Sequence, residues 1–174
     1  ENKEILNYEK KFVFFGRIHP HKNILLLIDI FIRSNLMKDG WSLAIYGIQD
    51  DENYLKKINN QIINYPKISI LKPVFGKKKA SIIRKAWANI LISKSEVLSF
   101  SVLESGIYGL SSIITKNIET LNDDKITNKV KTEESSIIKK IIEVSNWSLS
   151  KRRSIGHLTS KFFNNYKAKS QKVL

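Results

Sequence analysis

No cysteine occurs in the 174 residues, which excludes a disulfide framework, a thiol nucleophile and a thiolate metal site. Three prolines and seven glycines leave no low-complexity linker, and no internal repeat is present. The longest apolar run, Ile24–Ile28, is far short of the ~20 residues that cross a bilayer. The opening Glu1-Asn2-Lys3-Glu4 does not read as a signal peptide. Acidic residues are also few, 16 against 30 Lys and Arg, for a net charge of +14.

That charge invites a nucleic-acid partner, but arginine is scarce. Only Arg17, Arg33, Arg84, Arg152 and Arg153 stand among the 30 basic residues. Base-edge readout and bidentate phosphate clamps lean on Arg, so nucleic acid is disfavoured. Runs such as Lys77-Lys78-Lys79 and Lys139-Lys140 read as solvated helix faces. An anionic membrane surface or a phosphorylated ligand fits the charge equally well.

What is present is ample apolar material, 42% of the chain, enough for one domain with a sizeable core. Short apolar runs alternate with amphipathic stretches. Strands are expected at Phe12–Phe15, Trp41–Tyr46, Ile68–Leu71, Ile90–Ile92 and Ser112–Ile114. Helices are expected at Lys22–Arg33, Asp51–Asn64, Lys77–Ala86 and Ser101–Tyr108. Asn122–Lys131 reads as a polar connection, followed by closing helices at Glu133–Ser145 and Ser150–Tyr166. Strands apolar on both sides, alternating with helices, indicate a Rossmann-like α/β domain: a parallel sheet with helices on both faces. The whole of residues 1–174 is taken as this single domain, its core about residues 10–120. Trp41, Trp87 and Trp147 are assigned to packing.

Ligands of such sheets bind beyond the carboxyl ends of the strands. Gly16, Arg17 and Lys22 follow the first strand, where two cations near a helix start would suit a diphosphate. Spacing alone favours a plainer reading, with Arg17 bridging a neighbouring loop and Lys22 solvated. Glu96 and Glu104 flank a turn and a helix start, so both can face a cleft and accept hydrogen bonds from sugar hydroxyls. Spacing alone again favours the plainer reading, with Glu104 on a solvated helix face and Glu96 merely favouring the helix N-terminus. His19 and His21 lack a carboxylate at ligand spacing, so no metal site is expected there. No dinucleotide fingerprint follows the first strand, and no Walker-type loop occurs.

Taken together, these loops are more specific. The order Gly-Arg-Ile-His-Pro-x-Lys from Gly16, Trp-x-Leu-x-Ile-x-Gly from Trp41, and Ser-x-Ser-Glu from Ser93 with Glu104 beyond resembles family 4 glycosyltransferases. These are retaining enzymes of the GT-B fold, and the likeness is to their C-terminal, nucleotide-sugar-binding half. It covers roughly residues 10–165, with its clearest parts at 10–31, 87–117 and 147–163. The resemblance implies that Arg17 and Lys22 contact the donor diphosphate and stabilise the leaving group. It implies that Glu104 holds the nucleotide ribose and that Glu96 lies beside the donor sugar. Gly16, Gly47 and the backbone around Ser99, Phe100 and Ser101 would complete the nucleotide site.

No metal or cofactor is implied, since Arg, Lys and a helix end supply the positive charge. The acceptor, a polysaccharide, lipopolysaccharide or lipid-linked glycan, would sit against an N-terminal half preceding residue 1. Without that half the domain would bind nucleotide but not turn over. A cytoplasmic location, with peripheral contact to an anionic membrane, fits the lysine-rich surface. The chain departs from the family pattern at Val97, Ser99 and Ser111, where glycines or proline are usual. Two other readings are a sugar-nucleotide epimerase of the same architecture and a degenerate, non-catalytic binding module.

Overall fold

A computed structural model describes residues 7–96, 99–118 and 127–170 of the chain. Among them run strands β1 (Lys11–Phe15), β2 (Ser42–Tyr46), β3 (Ile68–Leu71), β4 (Ala88–Leu91), β5 (Ser112–Thr115) and β6 (Thr127–Val130). The helices are α1 (Ile24–Arg33), α2 (Glu52–Ile62), α3 (Gly76–Lys85), α4 (Phe100–Ile107), α5 (Glu134–Ser145) and α6 (Leu149–Ser170). All strands pair in parallel, in the order β3-β2-β1-β4-β5-β6. This is the doubly wound order, and its direction reverses between β1 and β4. The expected Rossmann-like α/β sheet is the one found.

Alternation along β1 divides the core. Phe12 and Phe14 join the larger cluster with Leu27, Ile28 and Phe31 of α1, while Val13 and Phe15 join Ile83 and Ala86 on the other side. With both faces covered, the strand interiors have to be apolar throughout, which is why they read as unbroken runs. The three tryptophans are buried as expected. Trp87 stands edge-on to Trp41 at 5.4 Å and donates from Nε1 to the Val144 carbonyl at 2.7 Å.

One expectation is corrected. The polar connection placed at Asn122–Lys131 contains β6, and the sheet continues to Val130 (residues 122–126 lie outside the described residues). Asn128 and Lys129 suit an edge strand, whose outer side needs no apolar partner. Its register is held by β5 and by Asn128 Nδ2 donating to Ser111 Oγ at 2.7 Å. The first long helix also begins later than its periodicity suggests. Pro20–Lys22 form a short 3-10 turn, and Asn23, at φ 53°, breaks it from α1.

Two glycines are there for close approach. A Cβ on Gly47 would lie 2.0 Å from the Gly16 carbonyl oxygen, so the β1 and β2 ends can meet only without it. A Cβ on Gly106 would lie 2.0 Å from the Phe163 ring, so a residue that weakens α4 by propensity lets α6 pack on it. We expect Gly106→Ala to lower the melting temperature by roughly 3–6 °C, because overpacking outweighs the better helix propensity. Phe163→Leu should cost less in that background than in the unaltered chain, measured by thermal melts of all four combinations. Equal costs in both backgrounds would refute the contact as the cause.

Candidate functional site

The loop after β1 is bound down by its own side chains. His19 Nδ1 accepts from the His21 amide at 3.2 Å, closing the turn. His21 Nε2 lies 3.0 Å from the Ser95 carbonyl, and the Lys94 amide donates to the His21 carbonyl at 2.9 Å. Asn23 Nδ2 donates to the Ile92 carbonyl at 2.9 Å. Lys22 forms an ion pair with Glu96, whose Oε1 also accepts from Ser93 Oγ at 3.1 Å. The loops leaving β1 and β4, on either side of the topological switch, are thereby one unit. Asn117 joins the loop after β5 to it, donating to the Ser93 and Lys94 carbonyls at 3.0 and 2.6 Å.

Beside this unit opens a cleft of about 230 Å³. Gly16 and Arg17 line it from β1, Gly47 and Ile48 from β2, Pro73 to Phe75 from β3, and Phe100, Ser101 and Glu104 from α4. Its base is the stacked pair Phe15 and Tyr46, with ring centroids 5.3 Å apart. Burial holds the Tyr46 hydroxyl above the usual tyrosine range, so it stays protonated and able to donate at neutral pH. Lys79 reaches in from α3, its Nζ 5.1 Å from the centre of the Phe15 ring, and pairs with Glu104. Arg17 is exposed and makes no ion pair among the described residues. The start of α4 forms one wall, where the first amides of a helix have no acceptor within it. An anion entering here meets the exposed Arg17 guanidinium and a helix N-terminus.

Of the residues singled out in the sequence, Gly16, Arg17, Gly47, Phe100, Ser101 and Glu104 share this cleft. Lys22 and Glu96 do not line it and neutralise each other beside it. Ser99 caps α4 and is buried, with its Oγ 3.0 Å from Ser101 Oγ. Val97 lies outside the described residues. The plainer reading of Arg17 and Lys22 is therefore corrected on both counts, since Lys22 is paired with Glu96 rather than solvated and Arg17 bridges to no carboxylate among the described residues. Lys79 is a correction. Read as part of a solvated lysine run, it is mostly buried against Phe15 and Glu104. Its position in the first turn of the helix after β3, three residues past Gly76, was the available signal. Phe75 was equally readable from its place after β3.

The Lys22–Glu96 pair is mostly enclosed, so its partners should be coupled. In a double-mutant cycle of Lys22→Met and Glu96→Gln, we expect a coupling of about 1–2 kcal/mol in denaturant unfolding. Additive effects would mean the two loops are joined by other contacts.

The fold has counterparts among known proteins. A glycosyltransferase from Rickettsia africae superposes with a TM-score of 0.78 at 16% identity, over 89% of this chain and 42% of that one. The C-terminal domain of a glycosyl transferase group 1 family protein from Francisella tularensis gives 0.76 at 17% identity, over 92% and 87%. The catalytic domain of cholesterol-alpha-glucosyltransferase from Helicobacter pylori gives 0.74 at 19% identity, over 92% and 99%. At such identities the likeness establishes the fold. The chain spans 42%, 52% and 34% of three longer structures it resembles, about half their length or less. No curated protein sequence matches it. The family model of glycosyl transferases group 1 matches residues 1–155, and the chain belongs to that family.

Proposed function

We propose that this domain binds the nucleotide-diphosphate sugar of a retaining, family 4 type glycosyltransferase acting on a polysaccharide, lipopolysaccharide or lipid-linked acceptor. The observation that carries the reading is one cleft lined by Arg17, by the N-terminus of α4 and by Glu104 about one turn further along that helix. A diphosphate matches the cationic side. A ribose diol matches Glu104, which would exchange part of its pairing with Lys79 for two hydroxyl donors. The base would lie toward Pro73–Phe75, over the Phe15 and Tyr46 rings.

The chemistry follows from the charges. As the bond from the anomeric carbon to the diphosphate oxygen lengthens, negative charge grows on that oxygen and positive charge on the sugar ring. Fixed cations aimed at the growing negative charge lower the barrier without reorganising. Arg17 is the nearest candidate, and Lys22 stands behind it on the same loop, held by Glu96. Glu96 would then face the donor sugar, where its carboxylate can accept from ring hydroxyls. No metal is part of the proposal. The acceptor and the groups that orient it would come from a partner domain, and the chain alone would bind the donor without turning it over.

Calorimetric titration of the chain with UDP, GDP and ADP should show binding of at least one. Arg17→Ala and Glu104→Ala should each weaken it about tenfold or more. Arg17→Ala should leave affinity for the corresponding nucleoside nearly unchanged, while Glu104→Ala should lower it. A folded chain that binds none of the three contradicts the proposal.

A further inference from the structure

At the opposite end of the sheet lies a second cavity, of about 290 Å³, bounded by Tyr8, Arg84, Tyr108, Gly109, Arg152, Arg153, Gly156, His157 and Ser160. Its residues precede β1, close α3, precede β5 or lie on α6, so it faces the amino ends of the strands. It shares no residue with the donor cleft.

In a chain whose basic residues are nearly all lysine, three of the five arginines converge here. No carboxylate lines the cavity, and none of the three makes an ion pair among the described residues. Two are held in place by rings, Arg84 at 5.0 Å from the Tyr108 centroid and Arg152 at 4.5 Å from that of Tyr8. Arg152 is 1% exposed. It donates to the Gly109 carbonyl at 3.0 Å and the Ala86 carbonyl at 3.1 Å, yet its buried Nε has no partner among the described residues. Burial lowers its pKa to about 10, which still leaves it charged at neutral pH. Burying a cation without a counter-ion is costly, and carbonyl dipoles with one ring offset only part of that cost. Lysines would suffice to keep the chain soluble. Preoriented guanidiniums with no anion on hand instead form a receptor for a planar or tetrahedral oxyanion.

We propose that this cavity binds a phosphate group, free or as a phosphomonoester headgroup, at a site separate from the donor cleft. Arg84 and Arg153 grip the oxygens at its rim, Arg152 supplies charge from below, and His157 offers a further donor. The arginine enrichment and the unmatched charge of Arg152 then have one cause.

The test is a titration of the full chain with inorganic phosphate, read by amide shifts at Gly109 and Gly156 for this cavity and at Gly16 and Gly47 for the donor cleft. Saturable shifts are expected at Gly109 and Gly156. The double variant Arg84→Gln/Arg153→Gln, which spares Arg152 and its carbonyl bonds, should weaken them about tenfold or more. Lys139→Gln/Lys140→Gln, with the same loss of net charge, should not. In a second arm, phosphatidylcholine vesicles with and without phosphatidic acid are floated with each variant. Flotation on phosphatidic acid that the arginine variant alone loses marks a lipid headgroup as the source. Phosphate shifts without flotation mark a soluble phosphate. The proposal is overturned if Gly109 and Gly156 show no saturable shift, or if the arginine variant titrates like the unaltered chain.

Discussion

The contact on which the rest depends is the backbone meeting of Gly16 and Gly47. A parallel sheet buried on both faces sends every strand's carboxyl end to one edge. Whether those ends form a cleft or splay apart depends on how closely neighbouring strands stay paired past their last side chains. Here the ladder continues beyond the strands, with the Gly16 amide donating to the Tyr46 carbonyl at 3.1 Å and the Gly47 amide to the Leu71 carbonyl at 3.0 Å. A side chain at position 47 would drive its Cβ into the Gly16 oxygen. Glycine at this point therefore serves the sheet first. It brings Phe15 and Tyr46 into register as a stacked base and sets Arg17 at the rim.

Charge pairing then sorts the cations by task. Lys22 is matched to Glu96 and Lys79 to Glu104, so both are held near the cleft at modest desolvation cost. Among the described residues Arg17 is left without a carboxylate partner at the solvent edge and Arg152 without one in the interior. The two differ in consequence. An exposed arginine without a partner is solvated and costs little until a ligand arrives. A buried one is an electrostatic debt carried by the fold itself, which gives the far cavity a reason to hold an anion. The remaining lysines lie largely on helix faces, and most of the net charge needs no more specific explanation.

The alternation of apolar runs and amphipathic stretches was enough to find five strands and the six α-helices of the described residues, because burial on both sheet faces leaves no other pattern open to a strand. β6 was hidden because an edge strand is excused from that rule, and Thr127–Val130 is too polar to be seen by periodicity. Gly16 and Arg17 were legible as strand-end residues because topology dictates where strand ends go, while Glu104, within α4, was singled out by the family resemblance. Lys79 was not, because in sequence it is one of three consecutive lysines and only the helix phase separates the one that turns inward. Arg152 and Arg153 stood in a stretch legible as a closing helix, but nothing local announces that the first is buried and the second exposed. Side-chain pairing across 74 residues, as between Lys22 and Glu96, lies beyond any local pattern.

The central claim is that the carboxyl-edge cleft is where a nucleoside diphosphate binds. A crystal structure of the chain with the tightest-binding nucleoside diphosphate tests this most directly. The account predicts the diphosphate between Arg17 and the first turn of α4, with the ribose hydroxyls on Glu104 and the base against Phe75. Density for the nucleotide elsewhere on the domain, with the Lys79–Glu104 pair undisturbed, would contradict it.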